Sequence, residues 1–379
     1  MYFKKHHDDR KGIFITKPSI PPIEEYIDYL QQIWDNGILT NMGPLHEEFR
    51  EKISDKLNVE MCIPCCNGHM GLELSIEAME LKGEIITTPF TFASTTHAIV
   101  RNGCTPVFCD IREDDCCIDT EKLESLINDK TVAILPVHVY GFPCNVDEIG
   151  RIADKYGLKL IYDAAHAFGV KLGENSIARY GDASVFSFHA TKSFNTIEGG
   201  CVTLHDQSFG LRLYHLINFG IMGEEQVEYA GANAKFNEFQ AAMGLCNLKY
   251  FEENRSKRQK IYKTYEEGLS NIDGIKMLKA YRNDVLQNYS YCPVFFDKEI
   301  LGKSRDDLYE YLANKNIYTR KYFYPLTSDY KCYRDSGYSG YTPVATKMAQ
   351  QVLTLPIYPE LKLDDVLYIC ELIRGFFEK

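Results

Sequence analysis

Lys192 lies in the stretch FSFHATKSFNTIEGG, residues 186–200, among small and hydroxyl-bearing residues. The Glu198-Gly199-Gly200 turn that follows it permits close approach of the backbone. A lysine that is desolvated in a crevice near other cations has a lowered pKa and becomes a nucleophile able to form a Schiff base. The chain has 42 lysines and arginines, however, and a single lysine is usually a solvated surface charge. The stretch alone leaves both interpretations open.

Asp163 is the second residue suited to chemistry, because it directly follows the apolar run LKLIY. A carboxylate at the tip of an apolar strand needs a partner. In a structural interpretation it caps a helix or forms a core ion pair. In a functional interpretation it faces a protonated ring nitrogen, as pyridoxal phosphate enzymes require to make the ring an electron sink. Lys192 follows after one further predicted strand, so both side chains can reach the same crevice.

The elements that must position these residues alternate between strand and helix for about the first 210 residues. Nearly all-apolar strands joined by helices predict a parallel sheet covered on both faces. Ligands of such a sheet bind beyond the carboxyl ends of the strands. Polar or aromatic residues follow five predicted strands, at Asn67-Gly68-His69, Thr88 with Phe90 and Phe92, His138 to Gly141, Asp163 with His166, and Ser187 with Lys192.

Phosphate recognition is expected at two of these strand ends. The Gly68-His69-Met70 turn opens a predicted helix, where backbone amides and the helix dipole favour an anion, and Ser187 adds a hydroxyl. Neither feature is specific by itself. The chain has no GxGxxG after a strand and no GxxxxGK[ST], so a dinucleotide-dependent epimerase or reductase and a P-loop enzyme lack their glycine frames.

The second half of the chain changes character at a long helical stretch that begins near residue 235. We interpret it as the bridge between a large domain, residues 1–250, and a small α+β domain, residues 251–379. In the small domain, Ser304 followed by Asp307 predicts a capped helix start.

Composition and charge exclude several classes. The net charge of -11 without a basic run argues against nucleic-acid binding. No signal peptide and no apolar run near the ~18 residues of a membrane span are visible, so we expect a cytoplasmic protein without a membrane segment. The thirteen scattered cysteines indicate reduced, buried thiols. Cys62-Ile-Pro-Cys65 could be a redox pair or half a zinc site, but no second CxxC completes four ligands, so we expect no metal.

Nine stretches occur along the chain in a fixed order: GPLHEEFREKI, CNGHMGLELSIEAM, TTPFTFASTTHAI, PVHVYGFPCNVDEI, IYDAAHAFG, FSFHATKSFNTIEGG, GANAKFNEFQAAMGL, IYTRKYFYPL and VLTLPIYPEL. In this order they resemble the DegT/DnrJ family of sugar aminotransferases, and the resemblance covers nearly the full length. It implies the aspartate-aminotransferase-like fold, pyridoxal phosphate fold type I, with a mostly parallel seven-stranded sheet. It also implies pyridoxal phosphate as the cofactor and a homodimer with shared active sites.

The resemblance assigns roles residue by residue. Lys192 matches the lysine that holds the cofactor, and family dehydratases have a histidine there, so lysine favours transamination. His69 stands where threonine is more usual, and Lys235 where arginine is common. At the cofactor ring, the resemblance assigns Asp163 to the ring nitrogen, Phe92 to the ring face and His166 to a position near the ring. At the phosphate it assigns Gly68, His69 and Ser187. Asn233 and Lys235 lie in the segment that crosses toward the partner's cofactor.

The family's sugar-nucleotide site falls on two segments of this chain. The loop NGILTNMGP, with Thr40, belongs to an N-terminal arm that borders the substrate. In TRKYFYPL, Arg320 or Lys321 would bind a diphosphate, and Tyr322 and Tyr324 would stack or form hydrogen bonds. A structural interpretation of TRKYFYPL is a strand whose aromatic side chains pack beneath the small domain.

The function that the resemblance implies is transfer of an amino group from L-glutamate to a nucleotide-linked keto-deoxysugar for O-antigen or other surface-glycan synthesis. The expected reaction converts dTDP-4-keto-6-deoxy-D-glucose into dTDP-4-amino-4,6-dideoxy-D-glucose. Amination at C3 of a dTDP-3-keto-6-deoxyhexose and a GDP-perosamine type of C4 amination are the alternatives within this chemistry. A catalytically silent, cofactor-binding regulator is the alternative outside enzymes.

Overall fold

The computed structural model describes residues 12–338 and 340–378. The α-helices are α1 (Ile23–Asn36), α2 (Pro44–Leu57), α3 (Gly68–Ala78), α4 (Ala93–Arg101), α5 (Thr120–Leu126), α6 (Val146–Tyr156), α7 (Gln207–Ile217), α8 (Glu238–Leu269), α9 (Lys298–Leu301), α10 (Arg305–Ala313), α11 (Pro343–Gln351) and α12 (Leu363–Phe377). The strands are β1 (Met61–Cys65), β2 (Glu84–Thr87), β3 (Thr105–Phe108), β4 (Thr131–Ile134), β5 (Lys159–Asp163), β6 (Lys171–Leu172), β7 (Asn175–Ser176), β8 (Ala183–Ser187), β9 (Gly200–Leu204), β10 (Ile221–Gly223), β11 (Gln226–Val227), β12 (Ile275–Met277), β13 (Val285–Leu286), β14 (Cys292–Phe296) and β15 (Val352–Leu355).

Seven strands form the large sheet, in the order β1-β9-β8-β5-β4-β2-β3. Only β9 runs against its two neighbours, and the other strand pairs are parallel. This confirms the predicted mostly parallel sheet and its strand count. The carboxyl ends of β1, β2, β5 and β8 therefore open toward one edge, where their connections to the next elements begin.

Side chains alternate between two hydrophobic cores along the central strands. On β5 and β8, Ile161 and Val185 belong to one buried cluster, whereas Tyr162 and Phe186 belong to the other. Each strand is thus buried on both faces, which is why its sequence reads as a continuous apolar run. Helices α3, α4 and α7 contribute to one of the clusters, for example through Leu72.

Two helices that border the site begin with side-chain caps. In α3, the Asn67 side chain accepts a hydrogen bond from the Met70 N–H at 2.9 Å. In α8, Asn237 and Gln240 form a reciprocal capping box. These caps fix where the two helices begin relative to the sheet edge.

The C-terminal part is built around the antiparallel sheet β12-β14-β15, packed against α8, α10 and α12. The predicted capping box of Ser304 and Asp307 is present at α10. The predicted domain boundary at residue 250 falls inside α8, Glu238–Leu269, which contributes to the cores of both parts. The division at 250 stays a prediction.

All thirteen cysteines lie in the part of the chain that the structure describes, where they are free thiols, and eleven are buried. Within residues 12–338 and 340–378, no helix is long and apolar enough to cross a membrane. Over the same residues, no group of three or more histidine, cysteine or acidic side chains is placed to hold a metal ion.

Candidate active site

A cavity of about 270 Å³ opens at the carboxyl ends of β1, β2, β5 and β8. Nine of the residues that line it were not predicted as site residues: Asn67, Leu72, Thr91, Ser94, Ala165, Val185, His189, Thr191 and Glu198. Nine of the thirteen predicted site residues line the same cavity: Gly68, His69, Phe92, Asp163, His166, Ser187, Lys192, Arg320 and Tyr322. The sheet topology therefore brings together residues that are widely separated in sequence.

Lys192 follows β8, and its backbone N–H donates to the His189 carbonyl at 2.8 Å, which closes a tight turn. Its Nζ lies 3.4 Å from the Tyr291 hydroxyl. Burial lowers the pKa of Lys192, and Arg320 lowers it further, while Tyr322 and Asp163 oppose that shift. The lowered pKa favours the neutral amine, which is the nucleophilic form.

Asp163 ends β5 and is 4% exposed. Its Oδ2 accepts a hydrogen bond from the Thr95 hydroxyl at 2.7 Å, and its Oδ1 accepts one from the Ala165 N–H at 3.1 Å. Thr95 is in turn hydrogen-bonded to Thr91 at 2.8 Å. Asp163 neither caps a helix nor forms an ion pair within 4.0 Å among the described residues, and its hydrogen-bond donors, Thr95 and the Ala165 N–H, are neutral.

His166 lines the cavity, and a backbone hydrogen bond orients its ring. Its Nδ1 accepts a hydrogen bond from the Tyr140 N–H at 3.1 Å. Burial, together with the nearby Lys192, places the pKa of His166 well below its ordinary value, so the ring is neutral near pH 7. Because Nδ1 accepts, the proton resides on Nε2, and His166 can donate one hydrogen bond.

The phosphate end of the predicted site is built from α3 and β8. A Cβ added at Gly68 would lie 2.9 Å from Ser187 Cβ, so only glycine lets the helix start lie this close to the strand. The N–H groups of Gly68 and His69 lie in the first helical turn, where the helix itself offers no acceptor. The His69 side chain is bound to Ser94 at 2.9 Å and to Glu73 at 3.2 Å. An anion here would therefore be bound mainly by amides and the Ser187 hydroxyl.

Aromatic and cationic side chains form the outer wall. The Phe92 ring is 47% exposed and lies 6.3 Å from that of Tyr322. The Arg320 guanidinium lies 4.2 Å from the Tyr322 ring centre. Lys321 instead forms an ion pair with Asp306 at 2.5 Å, outside the cavity lining. Of the two predicted cations, the structure places Arg320 at the cavity.

Four predicted residues do not line this cavity. Thr40 is exposed in the loop between α1 and α2. Tyr324 is 51% exposed and lies against Arg305, 5.0 Å from the ring centre to the guanidinium carbon. Asn233 is exposed and accepts a hydrogen bond from Lys235 Nζ at 2.8 Å. The chain by itself does not bring these four to the nine others.

Two expectations, for Thr88 and His138, and one alternative interpretation, of TRKYFYPL as a strand, are wrong. Thr88 is fully buried and caps its own turn by accepting from the Phe90 N–H at 3.1 Å, so the residues after β2 that reach the cavity are Thr91 and Phe92. His138 is likewise buried, stacked on Tyr162 at 4.7 Å. The TRKYFYPL segment is not a strand and takes part only in an isolated bridge at its Arg320. The Thr88 error comes from a local turn, and the His138 error comes from tertiary packing on Tyr162.

Thr95 and Tyr291 are the functional neighbours that sequence reasoning missed. Thr95 lies on α4, and Thr91 lies four residues earlier, just before the helix. This spacing in TFAST was a signal that the two side chains lie on the same side and can contact each other. Tyr291 precedes a strand of the C-terminal part and carries no local signal that connects it to Lys192.

The residues around the cavity fit pyridoxal phosphate. A lysine with a lowered pKa, a buried carboxylate with only neutral donors, and a neutral histidine with a free donor surround one space. A glycine helix start in van der Waals contact with Ser187 adds an anion site. This donor set matches a phosphorylated, basic heteroaromatic aldehyde.

Comparisons with known proteins agree with this geometry. Residues 22–374 match the model of the DegT/DnrJ/EryC1/StrS aminotransferase family. A dTDP-4-amino-4,6-dideoxy-D-glucose transaminase of Shigella dysenteriae is 41% identical over 364 residues, covering 96% of this chain and 99% of that protein. The enzyme of the same name from Escherichia coli is 43% identical over 370 residues, with the same coverage of 96% and 99%.

A solved structure gives the same result for the fold. DesI, crystallised in the presence of its TDP-sugar product, is 33% identical, with a TM-score of 0.93 over 98% of this chain and 94% of DesI. Solved neighbours are pyridoxal phosphate aminotransferases of fold type I, and pyridoxal phosphate is the cofactor of this chain. The protein therefore belongs to the DegT/DnrJ/EryC1/StrS aminotransferase family.

Proposed function

We propose that the protein transfers the amino group of L-glutamate to C4 of dTDP-4-keto-6-deoxy-D-glucose, giving dTDP-4-amino-4,6-dideoxy-D-glucose. The observation that carries the proposal is the meeting of Lys192 and Asp163 in one cavity, in a chain at least 41% identical to two transaminases of that sugar. Glutamate as the donor rests on the family resemblance alone.

Pyridoxal phosphate, when bound, supplies the electron sink for removing a proton from the carbon that carries the amine. Lys192 would hold the cofactor and, as a neutral amine, would move the proton. Asp163, held by Thr95 and the Ala165 N–H, keeps a ring nitrogen protonated. His166 donates from Nε2 and cannot itself compete for the proton near pH 7, because burial keeps its ring neutral.

The sugar nucleotide would enter past Phe92, Arg320 and Tyr322. Arg320 is the cation of the outer wall that we assign to the diphosphate, since Lys321 is already paired with Asp306. The Tyr322 ring carries the guanidinium on its face and so limits the directions that Arg320 can take. The roles of Thr40 and Tyr324 at this substrate stay predictions from the resemblance.

We also propose a homodimer whose partner completes each site. Asn233 and Lys235 lie away from this chain's own cavity, as expected for residues that serve the partner's cofactor. The neighbouring surface supports the proposal, because Phe219, Met222 and Val227 are 45%, 43% and 67% exposed. Apolar side chains exposed together mark interaction surfaces.

The free cysteines and the product bear on the cellular setting. Thirteen free thiols accord with a reducing compartment, and we propose the cytoplasm as the location. A dideoxy amino sugar linked to dTDP is an activated precursor, and we propose that it serves O-antigen or other surface-glycan synthesis.

The test is to incubate the cofactor-loaded protein with L-glutamate and separate dTDP- and GDP-linked keto-sugars, and to identify the products by NMR. The proposal predicts an amine at C4 of the dTDP sugar. An amine at C3, or a preference for a GDP sugar, would assign a different substrate. Spectral bleaching by glutamate without any amino sugar would contradict the reaction, and no response to glutamate would indicate a silent cofactor-binding protein.

A further inference from the structure

Tyr291 lies directly before β14, in the C-terminal part, yet its ring packs against His166 and Tyr322, which line the cavity of the candidate active site. The ring lies 4.7 Å from that of His166 in an edge-on arrangement. It also lies 5.8 Å from the rings of Tyr140 and of Tyr322. Three aromatic neighbours on three different segments leave the Tyr291 ring little freedom to move.

The Tyr291 hydroxyl is the side-chain hydrogen-bond partner of Lys192. The distance from Lys192 Nζ to Tyr291 Oη is 3.4 Å, and Nζ lies 5.9 Å from the centre of the Tyr291 ring. Burial raises the pKa of Tyr291 well above its ordinary value, so the hydroxyl stays protonated and uncharged across the working pH range. It can therefore accept a hydrogen bond from the lysine without neutralising the lysine by proton transfer.

A buried hydrogen-bond network fixes Tyr291 relative to both catalytic loops. Asn288 Nδ2 donates to the carbonyls of His166 and Phe168 at 2.8 and 2.9 Å. Ser290 Oγ donates to the His166 carbonyl at 3.1 Å and lies 3.0 Å from Ser193 Oγ, next to Lys192. The segment that carries Tyr291 is thus clamped to the loop of His166 and to the loop of Lys192 at once.

We propose that Tyr291 is a positioning residue for Lys192, which holds the lysine amine in the cavity while the amine is free of the cofactor. The inference rests on the proposed function, since a lysine is displaced and must return in an aminotransferase. A free lysine side chain has four rotatable bonds and otherwise samples many rotamers. A rigid, uncharged hydroxyl beside it keeps the amine near the carbon from which it removes a proton.

The test compares Tyr291→Phe with Tyr289→Phe. Tyr289 is the matched control because its hydroxyl is bound to Gln259 at 3.0 Å, away from the cavity lining. With cofactor loaded, we expect Tyr291→Phe to slow the single-turnover reaction with glutamate by about tenfold, while the concentration of glutamate for half-saturation changes less than about twofold. Tyr289→Phe should match the wild type in both.

A second readout uses the cofactor-free protein and does not depend on turnover. Reductive methylation of Lys192, followed by mass spectrometry across a pH series, reports the protonation of its amine. A hydrogen bond is stronger from an ammonium than from an amine, so losing the acceptor in Tyr291→Phe should move the labelling midpoint to lower pH. The Tyr289→Phe midpoint should stay with the wild type.

Two results would overturn the inference. One is a wild-type rate and labelling midpoint in Tyr291→Phe. The other is an equal change in Tyr289→Phe, which would indicate a general packing effect. Either result leaves the proposed function intact provided that the wild-type protein still produces the amino sugar, so the two failures are distinguishable.

Discussion

Thr95 on α4 donates a hydrogen bond to Asp163 Oδ2 at 2.7 Å, which ties the helix after β2 to the tip of β5. Both residues are buried. Thr91, which lines the cavity, continues this chain of hydrogen bonds, because its hydroxyl lies 2.8 Å from that of Thr95. The carboxylate is therefore held by neutral donors, so that its charge is available to a cation in the cavity. This arrangement explains why an acidic residue is tolerated at the end of an apolar strand.

Asp163→Asn should leave the fold intact, because asparagine retains an oxygen for the Thr95 hydroxyl. Without the negative charge the cofactor ring nitrogen is no longer kept protonated. We expect the single-turnover reaction with glutamate to slow by about a thousandfold, measured by stopped-flow absorbance. Thr95→Val, which removes the hydrogen bonds to Asp163 and to Thr91, should slow the same reaction by about tenfold. A rate for Asp163→Asn within threefold of the wild type, on the order of experimental scatter, would remove Asp163 from the mechanism.

Gly68→Ala should weaken cofactor binding without abolishing folding. The added Cβ would lie 2.9 Å from Ser187 Cβ, so the start of α3 must shift away from β8 and its amides with it. We expect the dissociation constant of pyridoxal phosphate to rise by about tenfold, measured by titration of the cofactor-free protein.

Gly150→Ala is the control for that substitution. Gly150 lies within α6, and an added Cβ meets nothing within 4 Å. It should raise the free energy of unfolding by about 0.5–1 kcal/mol through helix propensity and leave cofactor affinity unchanged. Equal affinity of the Gly68 and Gly150 variants would show that the α3 start does not bind the phosphate.

His166 should make stability depend on pH. Burial and Lys192 lower the pKa of His166 in the folded state. Below about pH 6.5, His166 therefore binds a proton in the unfolded chain but stays neutral in the native state. The free energy of unfolding of the cofactor-free protein should therefore fall as the pH is lowered from 8 to 5. Denaturant titrations should show a smaller fall for His166→Gln, and an unchanged fall would mean that His166 is not buried as a neutral ring.

Subunit mixing tests the shared active site. Lys192→Ala and the double variant Asn233→Ala, Lys235→Ala should each be inactive alone. If Asn233 and Lys235 serve the partner's site, hybrid dimers contain one intact site, and a refolded equimolar mixture should recover about a quarter of wild-type activity. Recovery of none would place all of these residues in a single chain's site.

The sequence was sufficient to predict the sheet, the strand ends that carry the chemistry and nine residues of one cavity, because strand periodicity and the edge rule for α/β sheets are local or topological. It failed where the turn after a strand, or the packing of distant segments, decides which side chains reach the cavity. Thr88 and His138 follow strands as the cavity residues do, but the first caps its own turn and the second stacks on Tyr162. The turn geometry of Thr88 and the packing of His138 distinguish them from Asp163.

Tyr291 is a neighbour of the site that could not be predicted from the sequence. Nothing near it in the sequence points to Lys192, 99 residues earlier, and the contact exists because Asn288 and Ser290 tie that segment to the His166 loop. Asn233 and Lys235 are the remaining case, since their predicted partner is a second copy of the chain. Neither kind of long-range contact leaves a periodic signal in the sequence.

The most direct test of the central claim, that Lys192 is the residue that holds the cofactor, is chemical trapping. The protein loaded with pyridoxal phosphate is reduced with borohydride, digested and analysed by mass spectrometry. We expect the reduced cofactor on Lys192 alone, together with loss of the near-violet absorbance, and no modified peptide in Lys192→Ala. Attachment to another lysine, or the same trapped yield in Lys192→Ala, would contradict it.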